Sequence, residues 1–174
     1  MKYTIIDFAE QFPTNDACLE YLFEKRFGLK HVCVKCKKLA TFSHVSGRKT
    51  YACSWCGAHV SAISHTIFHK SPTPLKLWFH ATFLMSQSRN GVAAKELERQ
   101  IGVTYKCAFR MMHKIRELMK QGGNPFEGTV EADETYVGGV TKGGKRGHGA
   151  PNKTPVFGIV NRDSGQVFAQ VVPN

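Results

Sequence analysis

Apolar positions recur along this chain at helical spacing, then in short β-prone runs, then at helical spacing again, and finally with a period of two. Residues 1–13 form a short apolar lead-in that ends at Pro13. Thr14 or Asn15 can cap a helix carrying Ala17, Leu19, Tyr21, Leu22, Phe23 and Phe27, which closes at Gly28. Cys18 falls inside it as a small buried hydrophobe. Residues 41–45 and 49–52 are β-prone and meet at Ser46 and Gly47. Beyond Pro72 and Pro74 three helices are predicted. The first runs from 75 to about 89, with Leu77, Trp78, Ala81, Phe83, Leu84 and Met85 apolar, and stops at Asn90 and Gly91. The second, 93–101, carries Ala94, Leu97 and Ile101, and the third, 105–121, turns Phe109, Met112, Ile115 and Met119 inward. A tight turn at 102–104 joins them in a helix-turn-helix pattern. Residues 121–125 read as a linker, with two glycines and a proline. Residues 129–139 are strand-like, and 155–160 and 166–172 form a β-hairpin about a turn at 161–165.

Charge narrows the class of partner. Lys and Arg number 24 against 13 Asp and Glu, a formal net charge of +11, which favours a polyanion, most commonly nucleic acid. The excess is uneven: residues 71–127 hold nine bases against four acids, whereas from 128 onward the ratio is five to four. At 42% hydrophobic and 21% charged residues, wholesale disorder is excluded. No apolar run approaches the ~20 residues of a membrane span, and acids interrupt the N-terminus where a signal peptide would be apolar. A cytoplasmic location is expected, with cysteines as thiols or metal ligands.

Cysteine spacing adds the first chemistry. Cys33 and Cys36 are separated by two residues, as are Cys53 and Cys56, and sixteen residues lie between the pairs. Each C-x-x-C folds as a knuckle that aims two thiolates at one point, and two knuckles on adjacent hairpins close a tetrahedral Zn²⁺ shell: a zinc ribbon. Two disulfides conflict with the compartment, and a redox motif normally has a single C-x-x-C at a helix start. Histidines 31, 44, 59, 65 and 69 are expected to be surface or packing residues, because four cysteines complete the shell.

On the third helix Lys106, Arg110 and Lys114 recur every four residues, with Arg116 and Lys120 beyond. Such a stripe suits a helix lying in the DNA major groove, or else it is merely solvated. In the strand 129–139, Glu131, Asp133 and Thr135 point to one face, and Val130, Ala132, Glu134 and Tyr136 to the other. Three carboxylates so close resist burial, and a divalent cation such as Mg²⁺ gives them a purpose; a solvated acidic edge strand is the alternative. The glycine-rich stretch 138–153, with Lys142, Lys145, Arg146, His148 and Lys153, is either a connection or a phosphate-binding loop.

The Cys₄ ribbon, the segment KELERQIGVTYKCAFRMMHKIR, the strand VEADETYVGG and the segment FGIVNRDSG occur in that order. Together they resemble the N-terminal two-thirds of a zinc-ribbon-bearing bacterial insertion-sequence transposase of the DDE, RNase H-like type, over residues 15–174. The resemblance implies an α+β fold: helix plus ribbon at 1–70, a helix-turn-helix bundle at 71–124, and at 125–174 the opening antiparallel three-stranded part of a truncated RNase H-like domain. It implies a catalytic Asp133 flanked by Glu131 and Glu134, and Mg²⁺ or Mn²⁺ shared with acids from later strands and a helix. It also implies double-stranded terminal inverted repeats as partner, a homo-oligomeric transposition complex and a nucleoid-associated location, with no membrane and no small-molecule substrate. Asp163 is the one acid after Glu134 and sits in a hairpin turn, so these 174 residues are expected not to cleave DNA alone. Two other functions are open: a DNA-binding competitor of the full enzyme, and a zinc-ribbon protein-interaction module.

Overall fold

The computed structural model describes residues 3–119, 127–138 and 153–173. The chain divides into two compact units, Met1–Glu117 and Leu118–Asn174.

The first unit opens with α1 (Ile5–Gln11), where the sequence pattern indicated only a lead-in. Its signal is a cap rather than a periodicity. Thr4 N–H donates to Asp7 Oδ2 at 2.7 Å and Asp7 N–H to Thr4 Oγ1 at 3.3 Å, a reciprocal capping box. Within the helix only Phe8 is buried, whereas Ile5 and Ile6 are exposed, so no apolar face betrays it. Helix α2 (Asn15–Phe27) starts at its expected cap, with Ala17 N–H on Thr14 Oγ1, and stops at Gly28 with φ 75°. Cys18, Leu19 and Phe23 are its buried residues.

Four short strands follow as an antiparallel meander in chain order: β1 (Lys30–Val32), β2 (Leu39–His44), β3 (Thr50–Cys53) and β4 (His59–Ser61). Aromatic rings join this sheet to α2. Phe23 stacks on Tyr51 at 3.9 Å and Phe27 on His31 at 5.0 Å, and within the sheet His31 lies parallel to Phe42 at 3.9 Å. Arg26 Nη1 donates to the Ala62 and Ser64 carbonyls beyond β4.

Helix α3 (Leu75–Gln87) ends two residues before the expected limit, and α4 (Ala94–Ile101) and α5 (Tyr105–Leu118) are joined through Gly102 in the left-handed conformation. Trp78, Leu97, Met111 and Ile115 are fully buried. One apolar core runs from Phe8 through Phe23 and Tyr51 to Ile115, so the regions expected as 1–70 and 71–124 share an interior. The inward face of α5 departs from expectation. Ala108, Met111, Met112 and Ile115 are buried, but Phe109 is 48% and Met119 49% exposed. The apolar positions outnumber what one helix face can cover, and Met119 lies past the last residue of α5, Leu118.

The second unit is the sheet β5 (Val130–Val137), β6 (Thr154–Asn161) and β7 (Val167–Val171), antiparallel in that order. Asn161, 2% exposed, locks the turn: its Oδ1 accepts from Asp163 and Ser164 N–H at 2.8 and 2.7 Å, and its Nδ2 donates to Glu127 O. The expected linker and the loop bearing Lys142, Lys145 and Arg146 lie outside the described residues.

Candidate metal centre and nucleic-acid interface

The two C-x-x-C segments fold alike. In the first, Cys33 N–H donates to Lys38 O and Lys37 N–H to Cys33 O, each at 2.9 Å; in the second, Cys53 N–H donates to Ala58 O and Gly57 N–H to Cys53 O, each at 2.9 Å. The fourth residue after each leading cysteine has positive φ, 59° at Lys37 and 66° at Gly57. Each knuckle thus reverses sharply and turns both sulfurs inward. The four Sγ atoms all lie within 4.8 Å of one another.

Cys33 Sγ is 3.6 Å from Cys56 Sγ, and Cys36 Sγ is 3.9 Å from Cys53 Sγ. A tetrahedron with Zn–S of about 2.3 Å has S···S edges of about 3.8 Å, so these separations suit Zn²⁺ and are far too long for disulfides. Electrostatics agree. The Cys36 backbone N–H leads in drawing the Cys33 thiol down to about 6. Cys56 is pushed up to about 11: the Ala58 N–H favours its anion, but burial and the other three sulfurs outweigh that. The nearby histidines do not join: His31 is stacked on Phe42, His44 bonds the Arg48 carbonyl, and His65 stacks on His69.

On α5 the core-facing residues leave Lys106, Arg110 and Arg116 exposed and Lys114 half-buried. The helix therefore presents a cationic row away from its packed face. The turn before it holds Gly102 at φ 68°, ψ 32°, with Cys107 N–H bonded to Thr104 Oγ1. Missed in the sequence was a second exposed row on the same helix, Tyr105, Phe109 and His113. Their rings touch in succession, 6.0 Å and 4.4 Å between centroids. Its signal was present as aromatic residues every four positions, but these were partly assigned to the core.

In the second unit, cross-strand pairing sets Glu131, Asp133 and Thr135 opposite Val160, Gly158 and Val156. Glu134 lies on the other face, opposite Phe157. Glu131 is ion-paired with Arg162, and Asp133 Oδ1 accepts from Glu134 N–H at 2.8 Å. Asp163 Oδ2 accepts from Thr129 N–H, closing the sheet corner. A side chain at Gly128, φ 89°, would place its Cβ 2.4 Å from that oxygen. Glu131 and Asp133 thus share a face, and Glu134 lies on the other. Among the described residues the cysteines make the one group that could hold a metal, and Asp133 as a single carboxylate does not complete a divalent-ion site.

Residues 13–59 match the family model of a transposase zinc-ribbon domain, and residues 125–174 match that of an ISXO2-like transposase domain. Over 150 residues the chain is 27% identical to an uncharacterized protein in transposable element ISH50 of Halobacterium salinarum. The alignment covers 77% of this chain and 50% of the relative, so the chain spans about half the length of that curated relative. No solved structure matches it.

Proposed function

We propose that this chain, which belongs to the zinc-ribbon-bearing insertion-sequence transposases, supplies the part of such an enzyme that grips the element's ends. Zn²⁺ held by Cys33, Cys36, Cys53 and Cys56 fixes the ribbon. Helix α5 lies on duplex DNA through Lys106, Arg110, Lys114 and Arg116, and Lys142, Lys145 and Arg146 add phosphate contacts. The carrying observation is the cationic face of α5, set opposite Ala108, Met111, Met112 and Ile115 on a helix anchored in the core. A helix already anchored in the core need not be ordered again when its cations meet phosphate.

Binding should weaken with salt at about 0.9 log units per log unit of salt for each phosphate neutralised. Lys106→Ala, Arg110→Ala and Lys114→Ala should each flatten that slope in filter or fluorescence binding to terminal-repeat duplex. Slopes identical to the parent's would remove α5 from the interface.

Strand cleavage and transfer belong to the complete enzyme, with Asp133 as its first acid and Mg²⁺ or Mn²⁺ as its metals. Glu131, which shares the face of Asp133, is paired with Arg162, and Glu134 lies on the other face, so Asp133 has no free carboxylate beside it on β5. Among the described residues no second carboxylate stands free beside Asp133 to share a metal, so these residues assayed alone are expected to bind terminal-repeat DNA without cutting it. A nicking assay with Mg²⁺ or Mn²⁺ on terminal-repeat DNA should show no Asp133-dependent product; efficient nicking lost in Asp133→Asn would overturn this. Pairing of two element ends calls for more than one copy, and β5 has β6 as its one neighbour among the described residues, leaving an edge available.

A further inference from the structure

The row Tyr105, Phe109 and His113 is at odds with the rest of α5. Tyr105 is 46% and Phe109 48% exposed, although each ring is large and apolar enough to be valuable in the core. They are not loose. The Tyr105 and Phe109 rings stack at 6.0 Å with 30° between planes, and Phe109 meets the His113 ring at 4.4 Å. Lys95, from α4, sits 5.7 Å over the Tyr105 ring and holds its far side. The result is an ordered apolar ridge flanked on one side by exposed Lys106 and Arg110 and backed on the other by Lys95, whose Nζ also pairs with Glu98 at 2.6 Å.

Charge complementarity decides what covers such a ridge. The flanking cations call for a polyanion, so the surface between its anionic groups must be apolar where the rings touch it. Duplex DNA meets both demands. In the major groove, between the two phosphate rows, the one apolar group on a base edge is the thymine methyl. The rings also start at the first residue of α5, the end of a recognition helix that reaches base edges.

Resting on the proposed DNA-binding role of α5, we infer that Tyr105 and Phe109 are specificity-determining residues that select thymine through its 5-methyl group. Adjacent rungs are four residues apart, about 6 Å along the helix axis. Base pairs repeat at about 3.4 Å, so the two rings meet methyls about two base pairs apart. His113 backs Phe109, and the neighbouring cations set the register on phosphate.

The test uses the zinc-loaded 174-residue chain and duplex selected by it from a randomised pool. Each thymine of the selected site is replaced in turn by deoxyuridine, which removes the methyl and leaves pairing intact. Two positions about two base pairs apart should each lose about fourfold in affinity, the factor that burial of one methylene commands. Phe109→Ala should abolish the loss at one position and Tyr105→Ala at the other, while Lys106→Ala weakens binding with both losses kept. A selected site without thymine, or one bound equally well with uracil throughout, overturns the inference while leaving DNA binding by α5 intact. Methyl sensitivity that persists in both ring variants does the same. Failure to bind any duplex in a salt-dependent way takes down the α5 reading and this inference together.

Discussion

Replacing Cys36 by serine tests the metal centre most directly. Cys36 is half-buried, so the change disturbs packing little, and a neutral hard oxygen replaces a soft thiolate. The S···S separations of 3.6 and 3.9 Å, with all four sulfurs within 4.8 Å of one another, place Cys36 in the group as a full member. Structural Zn²⁺ binds Cys-rich sites with about 10–16 kcal/mol of apparent free energy; divided over four bonds, each contributes about 2.5–4 kcal/mol. Cys36→Ser should therefore lose about two to three powers of ten in zinc affinity. Competition against a chromophoric chelator measures the affinity, and metal analysis should find one zinc in the parent. The ribbon's own interior amounts to Cys33, Ala40 and Cys53, too little apolar surface to hold the strands alone. Chelation should thus lower amide protection at the two knuckles and in β1 and β2, while β3, held to α2 through Tyr51 and Phe23, and Trp78, 1% exposed, stay protected. A serine variant that binds zinc as tightly as the parent, or a parent devoid of zinc, would refute the reasoning.

Other outcomes follow from single contacts. Met111→Ala should cost about 2–5 kcal/mol in denaturant unfolding, since Met111 is fully buried, whereas exposed Phe109→Ala should cost under about 1 kcal/mol; reversed values would put Phe109 back in the core. Asn161→Ala removes three hydrogen bonds, about 3 kcal/mol in all, so the Asp163 and Ser164 amides should exchange up to about a hundredfold faster; unchanged exchange would deny Asn161 its role at the corner. His80 stacks on Phe8, and burial, then Lys76, lowers its pKa from the ordinary 6.5. The unfolded chain takes up the proton first, so stability is full above pH 6.5 and falls as pH drops toward the lowered value. His80→Gln should flatten unfolding midpoints between about pH 7 and about pH 5; an unaltered slope would assign the acid sensitivity elsewhere.

Local chemistry was legible along the chain because each signal needs only near neighbours. Thr14 and Gly28 bound α2, Gly102 turns α4 into α5, and the spacing of Cys33, Cys36, Cys53 and Cys56 closes a tetrahedron whatever surrounds it. Alternation along β5 likewise settles which acids share a face, since the side-chain period is two. Only the tertiary structure decided which apolar residues are covered. Phe109 and Ala108 adjoin in sequence, yet Ala108 is buried in the core and Phe109 lies outside it, because a helix hides only the side its neighbours occupy. The same holds for the carboxylates. Glu131 is captured by Arg162 and Asp163 by the Thr129 amide, partners 31 and 34 residues away that no local pattern brings together. Spacing therefore determined what each segment is, and contact across the fold determined which side chains remain free to act.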